Sequence, residues 1–150
     1  MDNIDKKILQ LLQKNARLTY KEIGDQINLS QTPVFDRIKR METSGVIEKY
    51  VTILNKRSLG KTMTVYSQVT LNNQTVDVSS KFDQAMGELP EVVECHFVSG
   101  SFDYLLKIIV PDMESYHAFH QKKLSIIPGV AQINSFFVMN EVKSTSEIPI

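Results

Sequence analysis

Apolar positions in the first third of the chain recur at helical spacing in three short blocks. Ile4, Ile8, Leu11 and Leu12 form one stripe, which predicts a helix from about Ile4 to Lys14 with Asp2 or Asn3 as its cap. Thr19 and Glu22 stand at capping-box spacing, Ile23 and Ile27 face inward, and Asn28 is suited to a left-handed stop, so a second helix opens at Thr19. Val34, Ile38 and Met41 define a third helix over Gln31–Thr43. Ser30 stands at its cap, Pro33 in its first turn where the missing N–H costs nothing, and Gly45 at its end. Three such helices make a small tri-helical core. Val46–Leu54 is β-branched and aromatic and predicts a short strand, as a wing or the start of a connector. Asn55–Lys61 is polar, ends near Gly60, and predicts a hinge.

The second part of the chain changes period. Met63–Leu71 alternates as a strand does. Val78, Phe82, Ala85, Met86 and Leu89 then follow helical spacing. Val92–Val98 and Tyr104–Val110 predict two more strands with a turn at Gly100. Asp112 starts a second helix, with Met113, Tyr116, His120, Leu124 and Ile127 inward and Phe119 beside them. Val130–Met139 is the last strand. The order β-α-β-β-α-β, with Leu89-Pro90-Glu91-Val92 echoed by Ile127-Pro128-Gly129-Val130, predicts a ferredoxin-like split βαβ repeat. Two helices cover one face of such a sheet. The other mixes apolar side chains with Ser, Gln and Thr, and predicts a dimer. The fold class is therefore α+β: a (winged) helix-turn-helix domain over 1–54, a linker over 55–62, a ferredoxin-like domain over 63–142 and a tail over 143–150.

The zero net charge hides a division. Residues 1–57 carry eleven basic and seven acidic side chains and the remainder six and ten, giving +4 and −4. A basic module beside an acidic one fits a nucleic-acid binder joined to a sensing or partner domain. No apolar run approaches the roughly 18–20 residues of a membrane span. The start lacks the basic and apolar regions of a secretory signal, and the single Cys95 excludes an internal disulfide and suits a reducing cytoplasm.

The paired second and third helices have the arrangement that delivers a recognition helix to the major groove of double-stranded DNA. Ser30 and Pro33 set its start, and Gln31, Thr32, Phe35, Asp36 and Lys39 are the groove-facing candidates. Gln bonds adenine through two contacts, and Thr or Phe touches a thymine methyl. Arg37 and Arg40 are expected on phosphates, which fix register without reading sequence. Asp36 either accepts from a cytosine amine or pairs with Arg40 four residues on.

With both modules in view, the chain resembles the Lrp/AsnC (leucine-responsive, feast/famine) family of prokaryotic transcription regulators. The resemblance rests on Asp5-Lys6-Lys7-Ile8-Leu9, Asn15-Ala16-Arg17, Leu29-Ser30-x-Thr32-Pro33-Val34-x-x-Arg37-Ile38-Lys39-Arg40-Met41-Glu42 and Gly45-Val46-Ile47 in the first module. In the second it rests on Val98-Ser99-Gly100-x-x-Asp103-Tyr104-Leu105-Leu106 and Ile127-Pro128-Gly129-Val130. It implies a homodimer built through the second module, assembling to a tetramer or octamer, with an amino-acid effector between dimers near Ser99, Gly100, Ser101, Phe102, Asp103 and Tyr104. Gly100 lets backbone N–H groups approach a carboxylate, Asp103 takes an α-ammonium, and Phe102 or Tyr104 borders the ligand side chain. Asn134 and Ser135 stand where the family often has threonines near the ligand. The expected mechanism is ligand-linked assembly, which changes the spacing of paired recognition helices from about one DNA turn, roughly 34–36 Å.

Two other readings stand beside this one. An effector-independent architectural DNA-binding protein would show weak sequence preference. Some relatives of the family decarboxylate a tetrapyrrole, and His117 and His120 with Cys95 or His96 are the only metal-ligand candidates for such chemistry. His117 and His120 are predicted to point different ways, Cys95 sits mid-strand on an apolar face, and no phosphate loop, Ser/His/Asp pattern or paired carboxylates are present. The expectation is a regulator with no enzymatic activity, no metal and no cofactor.

Overall fold

The computed structural model describes residues 1–150 and divides into two compact units, Met1–Ile53 with Val142–Ile150, and Leu54–Glu141. In the first unit, α1 (Asn3–Lys14) opens on a capping box in which the Asp2 carboxylate accepts the N–H groups of Ile4 and Asp5 and the Asp5 carboxylate accepts the N–H of Asp2. Helix α2 (Tyr20–Ile27) begins on the Thr19–Glu22 box and ends at Asn28, which takes the left-handed conformation at φ 57°. Helix α3 (Gln31–Thr43) follows after three residues and stops before Gly45 at φ 74°. Ser30 occupies the cap position of α3, but its hydroxyl makes no capping bond, contrary to expectation. Ile8, Ile23, Val34, Ile38 and Met41 are the buried centre of this unit.

Val46–Leu54 forms no strand. Its β-favouring side chains find no second strand in this unit, and Val51, Ile53 and Leu54 stay exposed. Strand propensity is a preference for a paired, half-buried surface, and alone it does not make a ladder. The tail returns to the first unit. The Gln13 amide accepts the Ile148 N–H (2.5 Å) and donates to the Ile148 carbonyl (3.1 Å), while Gln10 donates to the Ile150 carbonyl (2.7 Å).

The second unit opens with a 3₁₀ turn over Arg57–Leu59, closed by Gly60 at φ 67°. Then come β1 (Met63–Leu71), α4 (Val76–Glu88), β2 (Val92–Phe97), β3 (Tyr104–Val110), α5 (Met113–Phe119) with a π-helical turn over His120–Leu124, and β4 (Val130–Phe137). The sheet is antiparallel throughout in the order β2-β3-β1-β4, which is the ferredoxin-like arrangement. Val65, Val69, Leu106 and Ile108 line the helix-covered face with Phe82, Tyr116, Phe119 and Leu124 from the helices. Met113, expected inward, is 51% exposed because it lies in the first turn of α5, beyond the edge of this core. On the opposite face Tyr66 stands between Lys107 and Phe136, and Gln68 between Leu105 and Asn134, as the alternation predicts.

One glycine sets the helix-turn-helix angle by its size. A Cβ on Gly24 would meet the Leu29 carbonyl oxygen at 2.3 Å, whereas one on Gly87 in α4 would meet nothing within 4 Å. Gly24→Ala is expected to destabilise the first unit by about 1–3 kcal/mol, since backbone has to move. Gly87→Ala is expected to stabilise the second by roughly 0.5 kcal/mol. Thermal melting of the two variants checks the opposite signs.

Candidate DNA-binding and effector sites

In the first unit, α3 buries Val34, Ile38 and Met41 and leaves Gln31, Thr32, Pro33, Asp36 and Lys39 exposed. Phe35 is 43% exposed and meets the Tyr20 ring edge-on, with centroids 5.4 Å apart. The N-terminal half of the helix therefore presents amide, hydroxyl, aromatic and charged groups together. Beside it lies a cleft of about 620 Å³ lined by Tyr20, Lys21, Gln31, Glu42 and Tyr50, in which the Tyr50 hydroxyl donates to Glu42. Lys21, in the first turn of α2, was missed in the sequence because its own helix carries no other basic side chain; only the cleft brings it beside Gln31.

Both arginines of α3 are engaged by carboxylates at the start of α1. Arg37 Nη1 lies 2.7 Å from Asp2 Oδ2 and 2.7 Å from Asp5 Oδ1. Arg40 Nη2 lies 3.1 Å from each oxygen of Asp5. Asp5 is 1% exposed. A buried carboxylate needs partners of opposite charge, and α3 supplies them. Arg37 was expected on phosphate and is instead engaged by two carboxylates between α1 and α3, and Arg40 pairs with Asp5 rather than with Asp36. The sequence separation of more than thirty residues hid both pairs.

Electrostatics follow from this geometry. The Asp5 N–H and the Arg37 guanidinium hold the Asp2 carboxyl at about 2. Burial pushes Asp5 up, but the Asp2 N–H and Arg37 outweigh it and keep the carboxyl below its ordinary 3.8. The same pairs raise Arg37. Both carboxyls are depressed in the folded state, so their stabilisation is present above pH ~3.8 and is lost as the pH falls through their folded values. Melting of the first unit, followed by NMR signals of α3 amides, is expected to weaken between about pH 4 and pH 2. Arg37→Gln is expected to melt lower at pH 6 and to lose less on acidification; an equal acid loss in both proteins would contradict the assignment.

In the second unit, the loop from Ser99 to Phe102 is exposed at its tip and has Gly100 at φ 155°. None of its four N–H groups donates to a protein acceptor. Asp103 is 5% exposed beneath it. Its carboxylate accepts the Leu71 N–H (2.7 Å) and the Gln74 amide (2.6 Å), so its oxygens shape the loop from inside. Asp103, expected as a free acceptor for an α-ammonium, therefore has both oxygens already engaged within the protein. Tyr104 is also displaced from the expected ligand border. It is buried on the helix-covered face, 4.5 Å from the Phe82 ring, and burial with the nearby Asp83 carboxylate pushes its phenol up to about 12.

Asn134 and Ser135 fall on opposite faces of β4. Asn134 is exposed and accepts from Gln132, while Ser135 joins Ser67 and Tyr116 in a hydroxyl cluster beneath α5. Ser135 thus spends its hydroxyl on the helix-covered side of the sheet, away from the face that carries Asn134. Of the metal-ligand candidates, His117 is exposed, His120 half-buried against Tyr116, and no three His, Cys, Asp or Glu side chains converge. Desolvation and the Asp83 carboxylate push the Cys95 thiol up to about 11, which disfavours the thiolate that reactivity needs.

Comparison with known proteins agrees with both units. Residues 1–48 match a winged helix-turn-helix DNA-binding family model, and residues 64–148 match the Lrp/AsnC ligand binding domain. Over 150 residues the chain is 40% identical to the leucine-responsive regulatory proteins of Escherichia coli K12 and Klebsiella pneumoniae, covering 100% of this chain and 92% of theirs. Among solved structures, a transcriptional regulator from Neisseria meningitidis in complex with L-Met superposes with a TM-score of 0.96 at 32% identity, over 99% of this chain and 96% of that one. An AsnC family transcriptional regulator from Agrobacterium tumefaciens gives 0.95 at 34% identity, over 99% and 97%. Its two matched domains, its full-length relatives and its ferredoxin-like sheet place this chain in the Lrp/AsnC family of DNA-binding transcriptional regulators.

Proposed function

We propose that the protein binds double-stranded DNA through the N-terminal half of α3 and that an amino-acid effector at the Ser99–Phe102 loop sets its DNA affinity. One observation carries the DNA reading. The apolar edge of α3 is buried while Gln31, Thr32, Phe35 and Lys39 remain exposed on a helix held by a helix-turn-helix. Gln31 and Thr32 read bases, Ser30 and Pro33 fix the start of the helix, and Asp36 accepts from a cytosine amine. Lys21 and Lys39 contact phosphates, with the outer face of Arg40 beside them.

The effector reading rests on the open N–H groups of residues 99–102, which suit a carboxylate, with Asp103 fixing the loop, Phe102 bordering the ligand and Asn134 exposed on β4. The neisserial neighbour's complex with L-Met supports an amino acid as the class of ligand. The half-apolar sheet face bearing Tyr66, Leu105, Ile109 and Phe136 is the dimer surface, and dimers assemble to a tetramer or octamer in the cytoplasm, where the DNA lies. The linker over 55–62 and the tail over 143–150 connect sensing to DNA binding.

The test is binding to DNA fragments at two salt concentrations, with and without each of the twenty amino acids. Salt-dependent, sequence-selective binding altered by one amino acid is expected, with methionine tried first. Salt-dependent binding indifferent to all twenty would replace the effector reading with an architectural one. No binding at low salt would overturn the DNA reading itself.

A further inference from the structure

The four charges Asp2, Asp5, Arg37 and Arg40 form a neutral cluster in which each arginine of α3 meets a carboxylate of the α1 start. Arg37 is the more deeply held, with its side chain 24% exposed against 63% for Arg40. The remaining cation of α3, Lys39, lies 3.9 Å from Glu42. A helix that reads as basic in sequence is therefore close to neutral on its surface. Each cation that reaches a DNA phosphate adds about 0.9 to the steepness of log K against log salt and strengthens binding to every sequence alike. A cation held by a buried carboxylate adds neither.

We propose that Asp5 is a specificity-determining residue: by withholding Arg37, and partly Arg40, from the DNA backbone, it suppresses sequence-independent binding and leaves discrimination to Gln31, Thr32 and Phe35. The proposal rests on the DNA-binding reading above. Asp5 acts through the arginines and touches no base, so it is a positioning residue. Burial is what makes the device work. A solvent-exposed Asp at this position would be screened and would release the arginines to phosphate, whereas a buried carboxylate with both oxygens engaged keeps its partners.

The experiment measures affinity of the full chain for a random-sequence duplex and for a selected tight-binding fragment, as a function of salt. Asp5→Asn keeps the shape of the side chain and an oxygen for the Asp2 N–H but removes the charge. It is expected to steepen the salt slope on random DNA by about one to two, raise affinity for that DNA by roughly tenfold at low salt, and narrow the ratio between the two duplexes. An unchanged or shallower slope in a cooperatively folded Asp5→Asn protein would overturn the proposal. Arg37→Gln supplies a second arm that holds if Asp5→Asn does not fold. Its slope on random DNA is expected to equal that of the unaltered protein, and a fall of about 0.9 would show that Arg37 contacts phosphate and defeat the idea. Salt-dependent binding by the unaltered protein separates these outcomes from failure of the DNA reading, which would show as no binding at all.

Discussion

The buried carboxylate of Asp5 is the constraint on which the first unit depends. It completes the cap of α1 and draws both arginines of α3 onto one carboxylate, Arg37 at Oδ1 and Arg40 across both oxygens. Only the Asp5 side of these pairs is away from water, so taking its arginine partners away strands a buried charge, whereas removing Asp5 leaves arginines that solvent reaches. The orientation of α3 is therefore set twice, by the apolar contacts of Val34, Ile38 and Met41 and by the ion pairs of Arg37 and Arg40 with the start of α1. Function follows from the second constraint as much as from the first. The side chains proposed to meet DNA are those that the cluster does not use.

A similar arrangement holds the loop of the second unit. Asp103 gives its two oxygens to the Leu71 N–H and the Gln74 amide, and its own N–H and carbonyl join Val69 and Val98. The loop above it has its N–H groups open while Asp103 beneath it is bonded through both carboxylate oxygens, its N–H and its carbonyl. In both units a buried or nearly buried acid fixes a segment whose outer surface is the one proposed to meet a partner, DNA in one and an amino acid in the other. This is preorganisation: the cost of ordering the binding segment is met at folding rather than at binding.

Local signals in the sequence located most of the fold. The box at Thr19 and Glu22, the stop at Asn28, the period-two run of β1 and the apolar run of β3 each depend on residues within a few positions of one another, and each formed as expected. The π-helical turn at His120–Leu124 carries no sequence signal of its own, and Val46–Leu54 failed as a strand because pairing is a property of two segments. The candidate sites were legible as surfaces but not as charges. Arg37 and Arg40 look available to phosphate until the fold brings Asp2 and Asp5 beside them from more than thirty residues away. Asp103 and Ser135 likewise look like ligand contacts until Leu71, Gln74, Ser67 and Tyr116 are seen to occupy them.

The central claim is that the Arg37 guanidinium is locked between two carboxylates, and its NMR signals report this directly. The account predicts slowed rotation with separately resolved Nη protons, both in the free protein and after addition of duplex DNA. A single averaged signal in the free protein, typical of a solvated arginine, would contradict it, and so would a large shift of that guanidinium on binding DNA.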